Sequence, residues 1–174
     1  ERQESGRYVR PILLIRVERT GKDQTEAGMV HANDVRKFLH ERLGAKDGEV
    51  AEKSSAEDEL TVHDLLAENC PVRFIITKAA LQEGWDCPFA YVLAVLDQTT
   101  AGTALTQMIG RILRQPHAER FPASQAGLNE CHVFVHRQNV AEAVAKVRDG
   151  LSKEGMGDLG ELVRAVGSGS TGGN

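Results

Sequence analysis

The chain has 174 residues, 41% of them hydrophobic and 26% charged, with a formal net charge of −4. Those values fit one soluble globular domain with a real core. Aromatics are only 5%, so stacking platforms for single strands are not expected, and the acidic balance excludes nucleic-acid binding by bulk charge alone.

The first element in chain order is "PILLIRVE" at 11–18, an apolar run bounded by Pro11 and a polar loop, which predicts a buried strand. After a loop at 19–28, "HANDVRKFLHERLG" places Val35, Phe38, Leu39 and Leu43 at helical spacing, with Gly44 where a helix stop belongs. A polar stretch at 45–59 leaves room for a short strand near Val50. A short helix is predicted over 60–69, then strands at 72–77 ("VRFIIT") and 90–97 ("AYVLAVLD"). Residues 103–114 predict a helix, "CHVFVH" at 131–136 a strand, and 140–151 a helix prolonged by 160–166. The tail "GSGSTGGN" (167–174) reads as a flexible linker or expression remnant.

Strands alternating with helices imply right-handed crossovers and a mostly parallel sheet with helices on both faces, a doubly wound α/β fold. Such sheets bind ligands at the carboxyl ends of their strands, which singles out the loops after Val17, Thr77 and Asp97. Three widely spaced cysteines argue for a reducing compartment, hence the cytoplasm. Cys131, His132 and His136 have the residue types of a zinc site but the alternation of a strand, and no metal is expected. There is no long apolar span and no visible signal peptide, so no membrane contact is expected. The chain starts without an initiator Met, which suggests a fragment of a larger protein with one domain at 1–166.

The helix at 103–114 carries the chemistry. At about 100° per residue, Thr103, Gln107, Gly110, Arg111 and Arg114 fall on one stripe and Leu105, Met108, Ile109, Ile112 and Leu113 on the other. Two guanidinium groups, an amide and a glycine make a face suited to phosphate, because planar forks that stay charged bind it bidentately. On spacing alone the same face reads as an ordinary solvated surface, because Arg is a common surface residue.

The segment upstream adds context. "ITKAALQEGWDCPFAYVLAVLD" (76–97) followed by "QTTAGTALTQMIGRILRQP" (98–116) resembles the fifth and sixth motifs of the second RecA-like domain of superfamily 2 helicases and translocases. Thr77, Gly84, Asp86 and Pro88 match the fifth motif, and Gln107, Gly110, Arg111 and Arg114 match Q-x-x-G-R-x-x-R of the sixth. The wording "LQEGWDCP" then "QMIGRILRQP" is most similar to the motor subunit of type III restriction enzymes and its DEAD/DEAH-like relatives.

The resemblance implies a RecA-like fold and the carboxyl-side half of a motor that hydrolyses ATP with Mg²⁺, both held mainly by the first RecA-like domain of the same parent chain. It implies Arg114 as the arginine finger and Arg111 as its partner, Gln107 and Gly110 at the ATP cleft, and Gly84 and Asp86 beside ribose and γ-phosphate. Thr77 and Lys78, with Arg19 and Thr100 as weaker candidates, would touch the nucleic-acid backbone. The implied partners are nucleic acid, DNA being favoured, and in a restriction system a nuclease or modification subunit. No phosphate loop G-x-x-x-x-G-K-[ST] occurs, so the isolated chain is expected to be inactive as an ATPase. Two alternatives stay open: a non-catalytic interaction module that retains the fold, and an unrelated α/β enzyme whose arginines bind a phosphorylated substrate.

Overall fold

A computed structural model describes residues 8–18, 30–54, 58–78, 89–97, 102–112, 121–135 and 140–165. Five strands, β1 (Ile12–Arg16), β2 (Val50–Lys53), β3 (Phe74–Thr77), β4 (Ala90–Val95) and β5 (His132–Val135), form one sheet in the order β2-β3-β1-β4-β5. Every neighbouring pair is parallel. Among the described residues four α-helices accompany them: α1 (Ala32–Leu43), α2 (Gly102–Ile112), α3 (Val140–Lys153) and α4 (Gly157–Leu162). The α/β class expected from the alternation is therefore the one observed, and the strand near Val50 is a full member of the sheet.

The central strands are apolar on both sides because both sides are covered. Leu14, Ile75, Leu93 and Val95 belong to one core cluster with Leu105, Met108, Ile109 and Ile112 of α2 and Val147 and Leu151 of α3. Ile15, Val17, Val50 and Ile76 form the other, closed by Val35 and Leu39 of α1. Successive strand residues point to opposite faces, so an uninterrupted run such as "ILLI" feeds both cores. No described helix is long and apolar enough to cross a membrane.

Helix α1 ends as its sequence predicts. Gly44 adopts the left-handed conformation (φ 67°), and the N–H of Ala45 returns to the Leu39 carbonyl at 3.0 Å.

Two helical expectations need correction. The helix expected at 60–69 is a single 3-10 turn, Glu59–Val62, followed by turns. Acidic side chains take the local N–H groups there: Asp58 accepts from Leu60 N (3.2 Å) and Asp64 from Leu66 N (2.9 Å). The carbonyls are taken too. Arg10, only 5% exposed, donates to those of Leu65, Ala67 and Cys70 and to the Tyr8 hydroxyl. The guanidinium also lies 5.6 Å from the Tyr8 ring centroid and 6.0 Å from that of Phe89.

The second correction concerns the last helix, which is not prolonged. Gly155 turns left-handed (φ 77°), the N–H of Met156 bonds the Leu151 carbonyl at 2.8 Å, and α4 starts anew. Arg148 then ties the end of α4 to α3 by donating Nε (3.2 Å) and Nη2 (2.6 Å) to the Val163 carbonyl.

β4 begins with a strained residue. Phe89 has φ 64°, and the register against β1 shifts between Ile12 and Leu13, so the strand enters through a bulge. Both Ile12 N (2.8 Å) and Tyr91 N (2.9 Å) donate to the Phe89 carbonyl, and its ring is buried edge-on to Tyr8. Such a backbone typically costs about 1–3 kcal/mol and persists only where its surroundings over-determine it.

Helices α2 and α3 approach closely at Thr106 and Gly150. A Cβ on Gly150 would meet Thr106 Oγ1 at 2.3 Å and Cγ2 at 2.7 Å. Thr106 is 1% exposed and cannot step aside. Gly150→Ala is therefore expected to destabilise the fold by about 1–3 kcal/mol through overpacking, and adding Thr106→Ala should recover part of the loss. Urea denaturation of the single and double variants measures this, and a Gly150→Ala chain as stable as the wild type would show that the helices are not in contact there.

Candidate functional site

Among the described residues few polar ones are buried, and four of them gather at one edge of the sheet. Glu52, Thr77, Arg16 and Asp97, at or just beyond the carboxyl ends of β2, β3, β1 and β4, are each less than 8% exposed. Arg16 Nε lies 2.7 Å from Asp97 Oδ2, with both side chains buried. Arg16 Nη1 also donates to Met108 Sδ at 3.4 Å. That contact seats α2 against the carboxyl edge, because Met108 belongs to its inward stripe. The neighbouring Gln107 faces outward and is exposed.

The inward positions of α2 lie where the wheel places them: Leu105, Met108, Ile109 and Ile112 are all 7% exposed or less. Gly110 differs. It is buried rather than open on the polar stripe, and a Cβ there would lie 3.5 Å from Met156 Cε. The α3–α4 turn presses on this flank of α2 and narrows its open face. Of Arg111 only the backbone is described, and Arg114, Gly84, Asp86, Arg19 and Thr100 lie outside the described residues.

Thr77 and Lys78 sit at the end of β3, as expected, but both are engaged within the protein. Thr77 is 1% exposed, and its carbonyl accepts from Val17 N at 2.9 Å. Lys78 Nζ is 2.6 Å from Glu52 Oε1. The same carboxylate lies 4.0 Å from Arg36 Nη2 of α1, which is bonded to Glu59 at 2.8 Å. Glu59 Oε2 in turn accepts from Glu52 N at 2.6 Å. A chain of charges, Lys78–Glu52–Arg36–Glu59, thus runs along the β2 side of the carboxyl edge.

Sequence reasoning missed Arg16, Glu52, Asp97 and Arg36. For two of them a signal existed: Arg16 ends the run "ILLIR" and Asp97 ends "AYVLAVLD", so two opposite charges close two buried strands. Cys131, weighed as a metal ligand, points its thiol at the Ile112 carbonyl (3.6 Å) at the start of β5, which is a strand. His136 lies outside the described residues.

An open parallel sheet covered on both faces, with buried charges at its carboxyl edge, defines a doubly wound α/β protein of the kind that takes its ligand there. No family model and no curated protein matches the sequence. Among solved structures, the chain is similar to the C-terminal domain of S. cerevisiae Dbp5, solved bound to Gle1 and IP6. The TM-score is 0.42 and the identity 13%, over 89% of this chain and 75% of that one.

Two outcomes test this edge. Asp97→Ala leaves the Arg16 charge buried without its carboxylate and should cost about 3–5 kcal/mol, whereas the double change Arg16→Met, Asp97→Leu should cost far less. Equal losses in urea denaturation would show that the pair is not a buried ion pair.

The other outcome concerns acid. Burial raises the Glu59 carboxyl, but the Arg36 hydrogen bond, the Glu52 N–H and the charges of Arg36 and His63 outweigh it and hold it below the ordinary 4.5. A carboxylate lowered on folding stabilises above its unfolded value, and that stability is lost as pH falls through the folded one. Glu59→Gln should therefore flatten the acid limb of a stability–pH curve, by less than about 1 kcal/mol because Glu59 is half-exposed. An unchanged acid limb would remove Glu59 from the charge chain.

Proposed function

We propose that this chain is the carboxyl-side motor domain of a nucleic-acid-dependent ATPase, a helicase or translocase. One observation carries the reading: Thr77, Gly84, Asp86 and Pro88, followed by Gln107, Gly110, Arg111 and Arg114, keep both spacing and order on a chain that folds as a parallel α/β sheet. The exposure of Gln107 beside the carboxyl edge, with the apolar side of α2 buried, supports it.

In this reading Arg114 meets the charge that builds on the transferring phosphoryl group, an effect worth about 10³–10⁵ in rate where an arginine finger operates. Arg111 supports it, and Gln107 lines the cleft with Gly84 and Asp86, while buried Gly110 serves the packing of Met156 against α2 rather than the cleft. A partner RecA-like domain supplies the phosphate loop and the residues that hold Mg²⁺, since this sequence has no phosphate loop. Lys78, Thr77, Arg19 and Thr100 are the proposed contacts to the nucleic-acid backbone, with DNA favoured and the cytoplasm as the compartment. The finer resemblance to type III restriction motors adds a nuclease or modification subunit to the proposed partners.

A second reading, a fold retained for binding without catalysis, is favoured by one specific observation. Thr77 is buried and Lys78 is paired with Glu52, so two of the four proposed backbone contacts are occupied within the protein.

Arg114→Ala in the full-length protein separates the two. The motor reading expects kcat to fall with KM and nucleic-acid binding little changed, because the finger acts mainly in the transition state. Lys at the same position should rescue poorly, as an ammonium lacks the planar fork. Full activity in both Arg114→Ala and Arg111→Ala would leave α2 a solvated helix face and remove the motor reading, while full activity in Arg114→Ala alone would make Arg111 the finger.

A further inference from the structure

Glu52 is the member of the β2–β3 charge chain that solvent barely reaches. Its side chain is 4% exposed, whereas those of Lys78, Arg36 and Glu59 are 26%, 30% and 46% exposed. The sheet register places it there. Glu52 stands opposite Ile76, which packs in the core with Val35 and Leu39 of α1, and Lys78, two residues on, follows on the same face. A carboxylate on a buried strand thus lies between a lysine at the strand end and an arginine on the helix. Its two oxygens face different cations: Oε1 is 2.6 Å from Lys78 Nζ, and Oε2 is 4.0 Å from Arg36 Nη2.

The two cations are held unequally. Arg36 is anchored, with Nη1 donating to the Val50 carbonyl at 3.4 Å and Nη2 to Glu59 at 2.8 Å. Lys78 carries its ammonium on a flexible four-carbon stem that reaches solvent. Glu52 cannot follow it outward. Its backbone is fixed in register with β3, and its N–H is bound to Glu59 Oε2 at 2.6 Å. A carboxylate left alone in that place would be costly, but Arg36 is near enough to take it over.

We propose that Glu52 is an internal substitute for phosphate: it occupies Lys78 until a nucleic-acid backbone displaces it, and Arg36 then takes up the carboxylate that Lys78 leaves. The inference rests on the proposed contact of Lys78 with nucleic acid and adds the device that regulates it. A backbone phosphate offers an ammonium the same charge and the same kind of oxygen acceptor as Glu52 does. Contact at Lys78 is therefore an exchange of anions, and it adds little net affinity in the wild-type chain. Any change that draws Glu52 toward Arg36 releases Lys78. Glu59 is the lever, since it competes with Glu52 for the same Nη2.

Fluorescence anisotropy of the whole chain with a labelled oligothymidylate reads the exchange. Glu52→Gln keeps the shape and removes the charge, and it should tighten binding about tenfold, the size of one charge-assisted hydrogen bond. The fall of affinity with salt should steepen by about 0.7 in logarithmic slope, as for one further phosphate contact on a single strand. Lys78→Ala should change little in the wild-type chain and abolish the gain in Glu52→Gln. Glu59→Gln, which frees Arg36 for Glu52, should give a smaller gain that also vanishes with Lys78→Ala. It becomes the deciding variant if circular dichroism shows Glu52→Gln unfolded. Glu41→Gln, on an exposed position of α1, removes one negative charge elsewhere and should not reproduce the gain.

Equal affinity of the wild type and the deciding variant, a gain that survives Lys78→Ala, or an equal gain from Glu41→Gln would overturn the proposal. So would tight binding by the wild type that Lys78→Ala abolishes: Lys78 would then be a free phosphate contact, and the motor reading would stand without Glu52. Displacement of the strand by inorganic phosphate far beyond that by chloride at equal ionic strength would make free phosphate the occupant and overturn it as well. If neither the wild type nor the deciding variant binds any strand, the contact at Lys78 falls together with this inference, while Arg114→Ala still decides the motor reading.

Discussion

The ion pair between Arg16 and Asp97 is the constraint on which the carboxyl edge depends. A guanidinium and a carboxylate at the ends of β1 and β4 are withdrawn from water together, which is tolerable only because each supplies what the other lost. Arg16 also reaches Met108, so the pair fixes the height of α2 above the sheet as well as the spacing of two strands. Everything exposed on α2, Gln107 foremost, inherits its position from a contact it does not make.

Around that pair the sheet divides into two electrostatic halves. On the β4 side one compact pair is buried. On the β2 side Lys78, Glu52, Arg36 and Glu59 alternate in sign, so each charge leans on the next and none is isolated. A phosphate approaching the β3 end would therefore meet a lysine whose charge is already answered by Glu52. Nucleic-acid contact there would require exchange of one anion for another rather than capture by a free cation.

Much of the architecture was legible because it depends on local pattern. Runs such as "ILLI" and "FIIT" declare strands covered on both sides, and Gly44 declares the end of α1. The inward stripe of α2 could be read from spacing alone. What escaped depends on partners distant in sequence. Nothing near residue 65 announces that Arg10 will take its carbonyls and prevent a helix. The burial of Gly110 depends on a turn at Gly155 more than forty positions away that brings Met156 back. At the site, the residue types were legible and the pairings were not: Lys78 was recognised as a cation, but Glu52, which neutralises it, sits on a strand of only four residues. Arg114, Gly84 and Asp86 rest on the motif alone.

Arg10 has a consequence beyond the loop it orders. Its charge is spent on carbonyl dipoles and aromatic faces in the interior, and no described carboxylate pairs with it. Arg16, by contrast, takes Asp97 out of solvent with it and leaves the balance unchanged. Glu52, equally buried, offsets Arg10, so the described buried charges balance and the surface that meets solvent carries the acidic excess of the formal net charge of −4. At long range such a surface repels polyanions, and added salt first screens that repulsion before it weakens any local contact. In the proposed motor, the encounter with a phosphate backbone would therefore be most favourable at an ionic strength between those two effects, rather than declining simply from low salt upward.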